Sequence, residues 1–145
     1  MLKDHLDWEK LMKCSRDAGG HEDIMFNLFK GSVVIDYFIQ NEYQGDEIFL
    51  YKLNGEYILV CDYFGSCSGC DAYKNCTDEE LKNLCVQLAN NARKFNSISE
   101  VFNFLEYEVD QDKSAYFDAY SIKDDFIKKL KENIIIQRIN KLSSL

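Results

Sequence analysis

Read from the amino terminus, apolar positions first recur at helical spacing. Leu6, Leu11 and Met12, with Trp8, fall on one face of a short helix over residues 4–14, which Ala18-Gly19-Gly20 interrupts. A second short helix is predicted over 22–30. The pattern then turns β-like: SVVIDYFIQ, residues 32–40, is β-branched and aromatic and predicts a strand. After it, DEIFLYKL and EYILVCDYF are two alternating runs joined by Asn54-Gly55, the dipeptide best able to adopt the positive φ values of a type I′ turn. They predict a hairpin over 46–64.

A two-residue turn also fixes the register. Leu53 faces Glu56, Tyr51 faces Ile58, Phe49 faces Val60 and Glu47 faces Asp62; on the other side Leu50 meets Leu59 and Ile48 meets Cys61. Two carboxylates are therefore set directly opposite each other at the end farthest from the turn, where like charges are unfavourable.

Helical spacing returns after the hairpin. Thr77-Asp78-Glu79-Glu80 has the form of a capping box, and Leu81, Leu84, Cys85, Leu88, Ala89 and Ala92 make one stripe of a helix over 78–94, which puts Cys85 in the core. Ser97-Ile98-Ser99-Glu100 opens a helix over 98–107. Ser121-Ile122-Lys123-Asp124 opens a last one over 121–140, where Ile134-Ile135-Ile136 reads as strand or helix. The surrounding Lys128, Lys129, Lys131, Arg138 and Lys141 favour helix, because they leave a polar face. The sum is an α+β fold, expected as one domain over 1–145: a small antiparallel sheet of the 46–64 hairpin, with 32–40 as third strand, packed against three or four helices.

Charge narrows the partners. The net charge is −8, and residues 31–120 hold six Lys/Arg against sixteen Asp/Glu, whereas residues 121–145 hold six against three. An acidic body repels phosphate backbones, so no direct nucleic-acid binding is expected and a protein with a basic surface is the better match. The amino terminus has no apolar signal-peptide core, and the chain has no run of about 20 apolar residues. No membrane role is expected, and the expected location is the cytoplasm. Thiols stay reduced there, so six cysteines point to packing, metal or catalysis before disulfides.

Four of those cysteines, Cys61, Cys67, Cys70 and Cys76, form C-x5-C-x2-C-x5-C. Cys61 reads as core, since it shares a strand face with Leu59. The others allow three readings: a tight turn with small thiols packed beneath it, a structural zinc held by Cys67, Cys70, Cys76 and a carboxylate or histidine, or a redox pair of Cys67 and Cys70. No cofactor is the first expectation and zinc the alternative. Carboxylates beside the loop raise thiol pKa values and work against a thiolate. His21 reads as a lone surface residue. Asp46, Glu47, Asp62 and Asp71, with Tyr63, Phe64 and Tyr73, then make an acidic and aromatic patch suited to binding a partner.

The segments Tyr43-Gln44-Gly45-Asp46 and Asp62-Tyr63-Phe64-Gly65-Ser66-Cys67-Ser68-Gly69-Cys70-Asp71-Ala72 resemble a loose group of short, uncharacterised proteins of bacteriophages and mobile elements. The resemblance covers about residues 43–105 and implies no catalytic set or cofactor. It implies a context in which small acidic proteins act stoichiometrically. The expected function is a non-enzymatic accessory protein that inhibits or modulates a host protein, such as a defence nuclease of the CRISPR-effector kind, by occluding a basic surface in the host cytoplasm. A small zinc-binding domain and a thiol-active enzyme are the alternatives.

Overall fold

The computed structural model describes residues 1–17, 19–40, 44–65, 73–74, 76–108 and 122–143. A 3-10 turn at Leu2–His5 leads into α1 (Trp8–Arg16) and α2 (His21–Phe26), followed by strands β1 (Val33–Ile39), β2 (Gln44–Leu53) and β3 (Glu56–Gly65). Then come α3 (Asp78–Asn91), β4 (Arg93–Phe95), α4 (Ile98–Asn103), a π-helical turn at Phe104–Glu108, and α5 (Lys123–Ser143). The strands form one antiparallel sheet in the order β1-β2-β3-β4. The α+β fold expected from the sequence is the observed one.

The hairpin takes the register set by its turn, from Leu53 opposite Glu56 to Glu47 opposite Asp62. Asn54 and Gly55 have φ of 51° and 80°, the left-handed values that a type I′ turn requires. Period-2 alternation then gives the sheet two apolar faces. Phe49, Tyr51, Leu53, Ile58 and Val60 pack with α1, α2 and α3; Ile48, Leu50, Leu59 and Cys61 pack with α4, the π-helical turn and α5. Helices thus cover both faces, so both hairpin strands are apolar on both sides.

Local chemistry sets the helix starts. The Asp7 carboxylate accepts from the Lys10 amide at 3.3 Å. Thr77 and Glu80 form the reciprocal capping box, and Ser97 accepts from the Glu100 amide at 3.2 Å. Several boundaries depart from the sequence pattern. The first helix begins at Trp8 rather than at residue 4, because Asp7 caps it and Leu6 is drawn into a bridge with Phe29. The second helix stops at Phe26 rather than near 30, because the Leu28 carbonyl accepts from Asp7 and Phe29 bridges Leu6. The third stops at Asn91 rather than 94, because Arg93–Phe95 pair with Tyr57–Leu59 as a fourth strand. The expected helix over 98–107 is α-helical only to Asn103 and widens beyond it into the π-helical turn.

The outer edge of β1 is covered by side chains of α5. A bulge falls between Val34 and Asp36, and Asp36 is buried. Lys129 makes an ion pair with Asp36 at 3.2 Å, donates to the Tyr37 carbonyl and lies over the Tyr37 ring, while Asn133 donates to the Ile35 carbonyl at 3.4 Å. A bulged edge strand capped this way cannot recruit another strand.

Candidate functional site

The end of the hairpin farthest from its turn gathers four polar side chains on the face shared with α1–α3. Antiparallel pairing sets Glu47 on β2 against Asp62 on β3. Residue His21, the first of α2, approaches Glu47 with Nδ1 at 2.7 Å from Oε2. With Glu47 ionised, Nδ1–H is the donor. Tyr73, just ahead of α3, donates its hydroxyl to Oδ2 of Asp62 at 2.9 Å. The tail of α2 is held as firmly: Tyr51 donates to the Met25 carbonyl at 2.6 Å, and Phe26 meets Tyr37 and Phe49 edge-on.

Burial makes this cluster electrostatically tense. Glu47 has no exposed surface, and the His21 side chain is 12% exposed. Asp62 as a residue keeps some exposure, but its carboxyl is nearly enclosed. Loss of water and the charge of Glu47 push its pKa up to about 7, against the lowering effects of Tyr73, the Tyr63 amide and His21. Burial also raises Tyr73 and Tyr51 well above the usual phenol range, with the nearby carboxylates adding to it. Asp62 therefore gains or loses its proton near neutrality.

The sequence put Glu47, Tyr73 and Asp62 on an exposed patch, and the structure corrects all three, Asp62 because its carboxyl is nearly enclosed. Glu47 is 0% and Tyr73 4% exposed, because both lie on the side of the sheet that α2 and α3 cover. Tyr63 does face solvent, at 66% exposure, and Asp46 is half-buried. His21 is no surface residue either, since α2 carries it onto the buried Glu47. The side chain of Phe64, and Cys67, Cys70 and Asp71, lie outside the described residues.

The described cysteines behave as packing groups. Cys61 and Cys85 are buried, and Cys85 is pushed up to about 12 by burial and by the neighbouring Cys76, Asp62 and Cys14. Burial also raises Cys14, with Asp23 and Asp17 adding to it. Cys76, the third cysteine of the expected zinc set, is half-buried, and its thiol donates to the Tyr73 carbonyl at 3.3 Å. Among the described residues no three His, Cys, Asp or Glu side chains are grouped so as to hold a metal ion.

Sequence reasoning found the Glu47–Asp62 pair but missed His21 and the role of Tyr73. One signal was present: the register puts Glu47 on the face of Phe49 and Tyr51, so it is buried and needs a polar neighbour. Which neighbour arrives depends on how α2 docks.

The exposed carboxylates follow the same geometry. His21 ties the start of α2 to Glu47, and Tyr73 ties the approach to α3 to Asp62. The acidic first turns of both helices, Glu22 and Asp23 in one and Asp78, Glu79 and Glu80 in the other, are exposed. A small cavity of about 60 Å³, lined in part by His5, Leu53, Asn54 and Lys94, lies instead at the turn end of the hairpin.

Fold and site together define an α+β domain with helices on both faces of a four-stranded antiparallel sheet and an acidic cluster at the open end of its hairpin. No known protein family, curated protein or solved structure matches the chain. No helix among the described residues is long and apolar enough to cross a membrane.

Proposed function

We propose that this protein is a non-enzymatic binding protein whose acidic end occupies a basic surface of a partner protein and so blocks or modulates it. One observation carries the reading: His21, at the start of α2, and Tyr73, on the approach to α3, are tied to the buried Glu47–Asp62 pair, and the first turns of these two helices expose Glu22, Asp23, Asp78, Glu79 and Glu80. The exposed carboxylates of these helix starts attract an approaching guanidinium or ammonium group. A surface evolved for nucleic acid is basic and accepts carboxylates in place of phosphates, which makes a nucleic-acid-handling protein the fitting target class.

The test is parallel affinity capture from the native host extract, using the intact protein and a Glu22→Gln/Asp78→Asn/Glu79→Gln variant. Glu80 is left alone to keep the capping box. The expected result is a basic protein retained at low salt, released as salt rises through the range in which the Debye length falls below about 8 Å, and retained at least tenfold less by the variant, about 1.4 kcal/mol of binding. Equal capture by both proteins, or capture indifferent to salt, refutes the reading.

A further inference from the structure

The start of α2 is fixed to the body by side chains that titrate. This helix is six residues long, and its cap position is Gly20, which has no side chain to close the first turn. Just before it, the Gly19 amide donates to the Cys14 carbonyl at 2.7 Å and ties the chain to α1, so Gly20 is the pivot from which α2 departs. Past that pivot the first turn is held by the His21–Glu47 bond, whereas the later part of the helix is held by the buried Ile24 and Met25 and by the Tyr51 hydroxyl.

Three links make one chain of polar groups across the sheet: His21 to Glu47, Glu47 opposite Asp62, and Asp62 to Tyr73. Directly opposed residues of an antiparallel pair have Cβ atoms roughly 5 Å apart, so the two carboxyls share one enclosure. Water reaches Glu47, which has no exposed surface, only where something covering it moves. The titratable groups facing the pair come from each covering element: His21 from α2, Tyr51 from β2, Tyr73 from the approach to α3, and Cys85 from α3 with Cys76 and Cys14 behind it. Glu22 and Asp23, on the same turn as His21, are exposed. Burial keeps Tyr51, Tyr73 and Cys85 protonated across the neutral range, and His21 is the group here that can carry positive charge.

We propose that this chain is a proton-operated latch on α2: with a proton bound, the opposed carboxyls hold the first turn of the helix on the sheet, and once it leaves, that turn lifts locally while the sheet stays folded. Two ionised carboxylates in one enclosure are relieved by hydration, and water enters where a cover gives way. A proton gained by Asp62 or by His21 lowers the enclosed negative charge, so both close the latch as pH falls. Enclosure and the charge of Glu47 push Asp62 up to about 7, against 3.8 for an ordinary aspartate, so the latch loosens as pH rises toward neutrality and is fully loosened above it. It is a property of the free chain and stands whether or not the acidic helix starts bind a partner.

The experiment is native-state hydrogen exchange of the full chain, followed by NMR from pH 5 to pH 8, with each rate referred to the intrinsic rate at that pH. One probe is the Ile24 amide, which donates to the Gly20 carbonyl; the other is the amide of Leu59, paired on both sides within the sheet. The Ile24 opening constant is expected to rise about 100-fold over this range, the effect of releasing one proton from Asp62. Low concentrations of guanidinium leave it unmoved, the mark of a local opening, whereas Leu59 exchanges only through denaturant-sensitive global unfolding. Asp62→Asn keeps an acceptor for Tyr73 and Glu47→Gln keeps one for His21, so each is expected to fold and to cut the rise at least tenfold. A wild-type rise below roughly threefold, or an Ile24 amide that shares the denaturant dependence of Leu59, overturns the proposal. So does the full rise retained in either variant.

Discussion

Asp62 is the residue on which local stability and proton uptake meet. Its folded pKa of about 7 lies above the ordinary aspartate value of 3.8, so the folded state favours the protonated carboxyl. Its contribution is fully present below the unfolded value. It is lost as pH rises through about 7, so the wild-type protein weakens across the window from roughly pH 4 to 7. Asp62→Asn removes the charge and leaves an acceptor for Tyr73. Chemical denaturation is expected to show the variant more stable by roughly 2–4 kcal/mol at pH 8, with the gain shrinking toward zero near pH 4. A gain independent of pH would mean that the carboxyl titrates normally and that the two acids are not in conflict. The pairing of Asp62 with Glu47 was legible from Asn54-Gly55 alone, because a two-residue turn fixes every later pair. The burial that makes the pairing tense was not, since it is supplied by α2 and by the approach to α3, neither of which adjoins Asp62 in sequence.

At the scale of elements, β1 and α5 depend on each other. Lys129 reaches the Asp36 carboxylate and the Tyr37 carbonyl, and Asn133 reaches the Ile35 carbonyl. These contacts cover a bulged outer strand whose Val33 is 63% exposed. Lys129→Met is expected to destabilise by about 1–3 kcal/mol, the cost of leaving a buried carboxylate short of a charged partner. It also uncovers the strand edge, so the variant aggregates faster on heating, as light scattering records. A melting temperature and scattering trace unchanged from wild type would show that α5 merely lies beside the strand. The sequence announced both elements correctly. It gave no hint that Lys129 and Asn133 turn inward, since on a helix rich in Lys they read as part of the polar face. The fourth strand escaped notice for a related reason: Arg93-Lys94-Phe95 has no strand pattern of its own and is a strand only through its pairing with β3.

Two apolar clusters share one sheet at the scale of the whole molecule. Leu59 belongs to the cluster with α4 and α5, and Leu81 to the one with α1 and α3. Both residues are 0% exposed, so truncating either to Ala is expected to cost about 2–5 kcal/mol. Because β2 and β3 contribute to both clusters, each variant is expected to shift a single unfolding transition, with circular dichroism and Trp8 fluorescence coincident. Separate transitions for the two probes would mean that the layers fold apart. The same arrangement separates the molecule's charges. The buried acidic pair is assembled on the α1–α3 face of the sheet, while the lysine-rich α5 packs on the other.

The sequence by itself determined what is local or periodic: the hairpin and its register, the capped helix starts, the α+β class and the core positions of Cys61 and Cys85. These depend on backbone dihedral preferences, on side-chain hydrogen bonds within a few residues, and on which apolar positions share a face. Only the tertiary structure decided that Glu47 and Tyr73 are interior, that His21 partners Glu47, and that the C-terminal aliphatic residues of α5 are left in water. Each of those outcomes depends on which element covers which face, and no pattern within a single segment carries that information.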